Sequence, residues 1–360
     1  MNLDLAKKVA DSVLYEGYLL YPYRASAVKN RQRFNFGVLL PPAYARAQTG
    51  HDAWSMRTEC LLEGEAPHVD VRIRFLQVIV REAGRLLEPH EAGGHETDPF
   101  ESSHQSQPYE IVPELVVNGN VYQTWQEAVE REVTLFDCSV AELMEEPHQV
   151  GWDSPPSDET EILRDAAGRS AGVLVRHRAQ LDCSVTLNAA SLGERLWRIA
   201  VEVENQTACD SAVTRDEALP HSLVAAHTLL TARNGQFVSM LDPPQAFATH
   251  CAACRNVGTW PVLLGCEGEH DWMLSSPIIL YDYPQIAPES AGSFFDGTEM
   301  DEMLALRVMT LTDDEKRQMR HVDQRAREIL ERTESLPQEH LLKLHGTIRG
   351  LKPAGSSETD

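Results

Sequence analysis

The chain contains no apolar run approaching the ~18 residues of a membrane span. Its first twenty residues, MNLDLAKKVADSVLYEGYLL, have neither an uninterrupted apolar core nor a small-residue cleavage site. Both absences point to a cytoplasmic protein. Positive charge is scarce too: 32 Lys and Arg stand against 55 acidic residues, a net charge of −23. A chain this acidic repels phosphate backbones, so nucleic acid is not an expected partner; the same field favours solubility and attracts basic protein surfaces. Local catalytic signatures are also missing, with no G-x-S-x-G elbow, G-x-x-x-x-G-K-[ST] loop, G-x-G-x-x-G or H-E-x-x-H. Hydrolase, NTPase and dinucleotide readings therefore lose their usual supports. Ser26-x-x-Lys29 copies a penicillin-recognising spacing without its companion triplets. No internal repeat occurs. The seven cysteines are odd in number and scattered, so in a reducing compartment they are free thiols or ligands, not a disulfide framework.

What is present suffices for substantial cores, since 42% of the 360 residues are hydrophobic. The expected fold is α+β: a β-rich antiparallel, sandwich-like middle domain between a mixed N-terminal region and a largely helical C-terminal region. The divisions are 1–150, mixed; 171–241, the β-sandwich-like module; 242–350, loop-rich then helical; and 351–360, a frayed tail. Residues 151–170, which open with GWDSPPSDET, mark the boundary. Leu5, Val9 and Val13 repeat at helical spacing and predict an amphipathic helix over 3–15. Val69, Val71, Ile73 and Phe75 alternate with polar residues, and the phase then slips to Leu76, Val78 and Val80, which predicts a bulged strand or one buried on both faces. The spacing predicts a helix around Trp125–Glu132 and a capping box at Ser139-x-x-Glu142. Trp197, Ile199, Val201 and Val203 alternate strictly, and 222–232 and 236–240 form a candidate hairpin about Arg233-Asn234-Gly235. Asp242-Pro243 opens a helix to about Cys254, and Thr312-x-x-Glu315 opens another.

Two constellations could carry chemistry. Cys251-x-x-Cys254 is followed by Cys266 and His270, a set able to close a tetrahedral zinc shell or hold an iron–sulfur centre, unless the thiols simply pack against the sheet. Asp296, Glu299, Asp301 and Glu302 form an acidic cluster that a helix N-terminus explains as well as a divalent ion does. The stretch 257–307 is rich in aromatics and prolines. Within it Pro277 and Pro284 bracket IILYDY, expected as a strand buried near its start that leaves through a proline-stiffened loop. Such a loop loses little entropy on binding, making Trp260, Tyr281, Tyr283, Pro284 and Glu289 candidate partner-binding residues, or it straps a domain junction.

LYEGYLLYPYR at 14–24, SMLDPP at 239–244, NVGTWPVLLG at 256–265, SSPIILYDYPQIAPES at 275–290 and FDGTEMDEMLALR at 295–307 carry a resemblance. Over most of its length the chain resembles an uncharacterised bacterial protein family often encoded near NiFe-hydrogenase genes. The resemblance implies a role in hydrogenase assembly or maturation, with a hydrogenase subunit or maturation factor as protein partner. It supplies no catalytic residues. The expectation is a non-enzymatic accessory protein with no cofactor, or with a zinc or iron–sulfur centre at the cysteines. The alternative is a metal-dependent enzyme with a site near residues 250–302.

Overall fold

Residues Ser55–Leu86 form one strand of 32 residues, β1, around which the rest of this computed structural model is organised. The structure describes residues 3–15, 34–48, 50, 52–87 and 108–285, with scattered positions between 312 and 334. Along the chain follow β2 (Tyr109–Val112), β3 (Glu114–Val117), β4 (Asn120–Gln123), β5 (Trp125–Ser139), β6 (His148–Ser154), β7 (Ser157–Arg164), β8 (Ser170–Arg178) and β9 (Leu181–Ser191). Then come β10 (Leu196–Asn205), β11 (Val224–Phe237), β12 (Trp260–Leu263) and β13 (Trp272–Ser276). The helices are short: α1 (Leu3–Tyr15), α2 (Pro42–Ala47), α3 (Val140–Glu145), α4 (Arg215–Ala218) and α5 (Ala248–Ala252).

Eleven strands share one sheet, with the path β12-β13-β11-β1-β10-β9-β6. Each of its strand pairings is antiparallel. β1 is long enough to serve five partners: β10 along 55–63, β11 along 62–76, β5 along 68–81, β8 along 79–84 and β2 along 83–86. The phase slip at Phe75 and Leu76 is real, because the β1–β11 register shifts between Arg74 and Leu76. At that point the neighbouring Ala225 adopts φ +51, a left-handed conformation that a bulge accommodates. A second shift lies between Gly64 and His68. There a Cβ on Gly64 would sit 2.5 Å from the Asn234 carbonyl oxygen, so only glycine lets the two strands approach.

One face of β1, β5, β9, β10, β11 and β13 supplies a continuous apolar core including Phe75, Val201, Leu187, Leu230, Phe237 and Met273. Trp152 meets Phe75 edge-on, ring centres 5.3 Å apart. On the opposite face α1 lays Ala6, Val9, Ala10 and Val13 against Leu229, Trp272 and Leu274. Their spacing of three, four and seven residues is the buried stripe of an amphipathic helix.

The β-rich antiparallel character holds, but several local expectations do not. Trp125–Glu132 is strand, part of β5, because thirteen residues of register with β1 outweigh the helix-forming Glu and Ala content. The 151–170 stretch is largely strand as well: β6 pairs with β9 and β7 with β8, joining the same sheet as β1. Residues 224–237 are one continuous strand, not a hairpin, even though Asn234 has φ +56. The helix expected from Asp242 to about Cys254 is confined to the five residues of α5, the sole helix over an otherwise loop-rich 242–285. Consecutive Pro243 and Pro244 explain the late start, since the residue before a proline is driven from the helical region. The expected acidic cluster at 296–302 lies outside the described residues, as does most of the stretch after Thr312-x-x-Glu315. No helix among the described residues is long and apolar enough to cross a membrane.

Candidate functional site

β12 ends the strand order among the described residues, and an edge of this kind invites edge-to-edge association unless it is covered. Residues 277–285 fold back over that edge as a strap. The Asp282 carboxylate accepts from the Leu263 backbone N–H at 2.8 Å and from the Ser239 hydroxyl at 2.5 Å. Ser239 in turn accepts from the Asp242 N–H at 2.8 Å, and the Tyr283 N–H donates to the Leu263 carbonyl at 2.8 Å. Beneath the strap, Gly37 at φ +53 leaves room that a Cβ would take, 2.7 Å from the Pro277 ring.

IILYDY is therefore not a strand, but its alternation is kept. Ile278 and Leu280 pack onto the α1 core, while Ile279 and Tyr281 point outward at 75% and 87% exposure. Tyr283 packs on the main core, its ring edge-on to His270 with centres 6.4 Å apart. Its φ of +56 is costly for an aromatic residue, roughly 1–3 kcal/mol, and the hydrogen bonds on either side hold it there. Trp260, at the start of β12, is 43% exposed and Val257 just before it 50%. Pro284 is half-buried, and Glu289 lies outside the described residues. The anchors give a prediction. Asp282→Ala removes a carboxylate holding two donors, so stability should fall by about 2–3 kcal/mol. Hydrogen exchange should then quicken at Leu263 and Tyr283, whereas unchanged protection would mean that the strap is held by other contacts.

A second construction was invisible in the sequence. Glu59 on β1, its side chain 4% exposed, is a node joining three distant segments. One oxygen accepts from Arg57 Nη2 at 2.7 Å and Nε at 3.1 Å; the other accepts from the Arg255 backbone N–H at 2.8 Å. Arg198 Nε stands 4.0 Å away. Burial alone would raise the carboxyl pKa; the Arg255 N–H and the Arg57 and Arg198 charges outweigh it, so the group stays below the usual carboxylate range. The Asn256 side chain pairs with both backbone groups of Glu59, and Arg57 and Val257 exchange backbone hydrogen bonds. These contacts stitch the loop after α5 onto β1 where β11 no longer reaches.

The four expected metal donors do not converge. Buried Cys251 directs its thiol at the Ser239 carbonyl, 3.8 Å, and Cys254 at the His250 carbonyl, 3.5 Å. His270 Nδ1 donates to the Phe237 carbonyl at 3.0 Å, and Cys266 is exposed. Among the described residues no group of three or more His, Cys, Asp or Glu is placed to hold a metal ion. Burial raises both thiols of the pair, Cys254 to about 11, so neither is a thiolate at neutral pH. Cys251 on α5 and Cys254 just past its end pack with Leu61, Leu196 and Val238 instead.

One hollow of about 830 Å³ lies between α3 and β6, where Cys138 Sγ is 3.9 Å from His148 Nδ1. A thiol–imidazole pair can be a nucleophile. Here burial, followed by Asp70, Asp137 and Glu142, raises the thiol pKa, the opposite of what activation requires.

Compared with known protein families and with curated proteins, the chain matches none of either.

Proposed function

We propose that this protein is a non-enzymatic accessory factor that binds a partner protein through the strap on β12. The observation that carries the reading is the pairing of rigid anchorage with apolar exposure: Asp282 and Tyr283 are fixed from beneath while Ile279 and Tyr281 stand 75% and 87% exposed. A strap already ordered before binding loses little conformational entropy on complex formation, and a large exposed aromatic at its crest suits an interface anchor. Exposed apolar side chains on an anchored segment are a cost that folding alone does not require. The protonated thiols of Cys138 and Cys254 support the same reading by weakening a nucleophilic one.

The resemblance carried by 239–244, 256–265 and the described part of 275–290 falls on this strap and its supports, which makes a NiFe-hydrogenase subunit or maturation factor the partner to test first. Co-expression with each of those proteins, followed by size-exclusion chromatography, is the experiment. Co-elution of one of them in fixed stoichiometry is expected. Separate elution of every candidate would remove the hydrogenase assignment.

A further inference from the structure

A groove of about 510 Å³ opens at the start of β1, lined by Arg57, Glu59, Arg198, Glu202 and Arg255 with Ser55 and Val257 at its edges. Three guanidiniums in one groove stand out on a chain of net charge −23. Their commitments differ. Arg57 is spoken for, bound to Glu59 through Nε and Nη2 and to Glu202 through Nη1 at 3.2 Å. Arg255 gives Glu59 only its backbone N–H, and its exposed side chain makes no hydrogen bond among the described residues. Arg198 approaches Glu59 no closer than 4.0 Å, beyond hydrogen-bond length, so its terminal nitrogens stay available. Three cations face two carboxylates, and both carboxylates are already engaged by Arg57.

We propose that this groove binds a small oxyanion ligand, a carboxylate or a phosphate monoester, held by the guanidiniums of Arg198 and Arg255. Planar guanidiniums present paired donors matched to such groups. The node at Glu59 supplies the preorganisation: it fixes Arg57 beside the groove and pins the 255–257 loop on β1, so Arg255 needs no loop closure to engage. The volume suits a small molecule and lies within the usual range for ligand sites. Because the rest of the chain is acidic, long-range steering opposes an anion, and affinity must come from contacts inside the groove.

The test is calorimetric titration of the full chain at low ionic strength with inorganic phosphate and, separately, with succinate. Chloride at matched ionic strength is the control. At least one probe should saturate, with a dissociation constant on the order of 1 mM, and the stronger probe identifies the ligand class. Arg255→Gln should weaken it about tenfold, as loss of one charge-assisted contact does, and Arg198→Gln similarly. The Arg255 variant retains the backbone donor to Glu59, so an unchanged thermal midpoint separates lost binding from lost folding. Absence of saturable binding by either probe, or wild-type affinity in both variants, would overturn the proposal. It stands apart from the strap, and neither outcome bears on partner binding.

Discussion

Glu59→Ala should lower the unfolding free energy by about 3–5 kcal/mol, the range for removing one partner of a buried ion pair. The mutation leaves Arg57 without its main acceptor, orphans the Arg255 N–H and removes a 4% exposed side chain from the junction of β1 with the 255–257 loop. The cost is structural, because the node joins residues far apart in sequence. Glu59→Gln should recover part of it: the amide oxygen can still accept from one donor, but the charge that holds Arg57 is gone. Urea unfolding followed by tryptophan fluorescence measures both. A loss under about 1 kcal/mol in the alanine variant would mean that the backbone pairing of Arg57 with Val257 suffices to hold the loop.

The second large effect is on pH dependence. His227 is completely buried on β11, with Nδ1 2.8 Å from the Ala225 carbonyl and no partner for Nε2 among the described residues. Arg74 faces it across the β1 register, itself 4% exposed and bound to Asp11 of α1 at 2.7 Å and Glu130 of β5 at 3.3 Å, with Glu132 at 3.9 Å. Burial, with Arg74 adding to it and the Ala225 carbonyl opposing, pushes the imidazole down to about 3. Between pH 6.5 and 3 the unfolded chain binds a proton that the folded chain refuses, so stability falls as pH falls. The slope from this one group approaches about 1.4 kcal/mol per pH unit below 6.5. Glu59 and Glu334, whose carboxyls are lowered, lose their contributions only below about pH 4.5. At His177, burial is outweighed by Asp158 and Glu82 and the pKa is raised, so its contribution is full below 6.5 and lost as pH rises above it. Among the described residues the window from pH 4.5 to 6.5 therefore belongs to His227. His227→Gln should flatten that window, and an equally steep loss in the variant would place the acid sensitivity elsewhere.

Much of the fold was legible where one physical rule acted alone. The stripe of α1 and the phase slip in β1 both follow from which residues one face must bury, and both occur where the pattern put them. Local rules failed where distant pairing decided the outcome. Trp125–Glu132 carries helix-forming residues, yet its partner is a strand more than forty residues earlier. Asn234-Gly235 looked like a turn because the close approach of Gly64 leaves no trace in the local sequence. Of the candidate site, the proline-and-tyrosine stretch was recognisable from composition and its alternation. Which side faced out was not, since that depends on the α1 core receiving Ile278 and Leu280. The Glu59 node joins 57–59, 198–202 and 255–257, and no local pattern links positions that far apart.

The central claim is that the outward side chains of the strap bind a partner and contribute nothing to the fold. Its most direct test is the affinity of the co-eluting partner for the wild-type chain and for an Ile279→Ser/Tyr281→Ser variant, alongside the unfolding free energy of each. Both side chains are exposed, so the variant should keep its stability within about 0.5 kcal/mol. Its affinity should drop by a factor of roughly 100, the loss of an interface anchor of about 2–3 kcal/mol. Unchanged affinity in a stable variant would contradict the account, because the partner would then be held by another face of the protein.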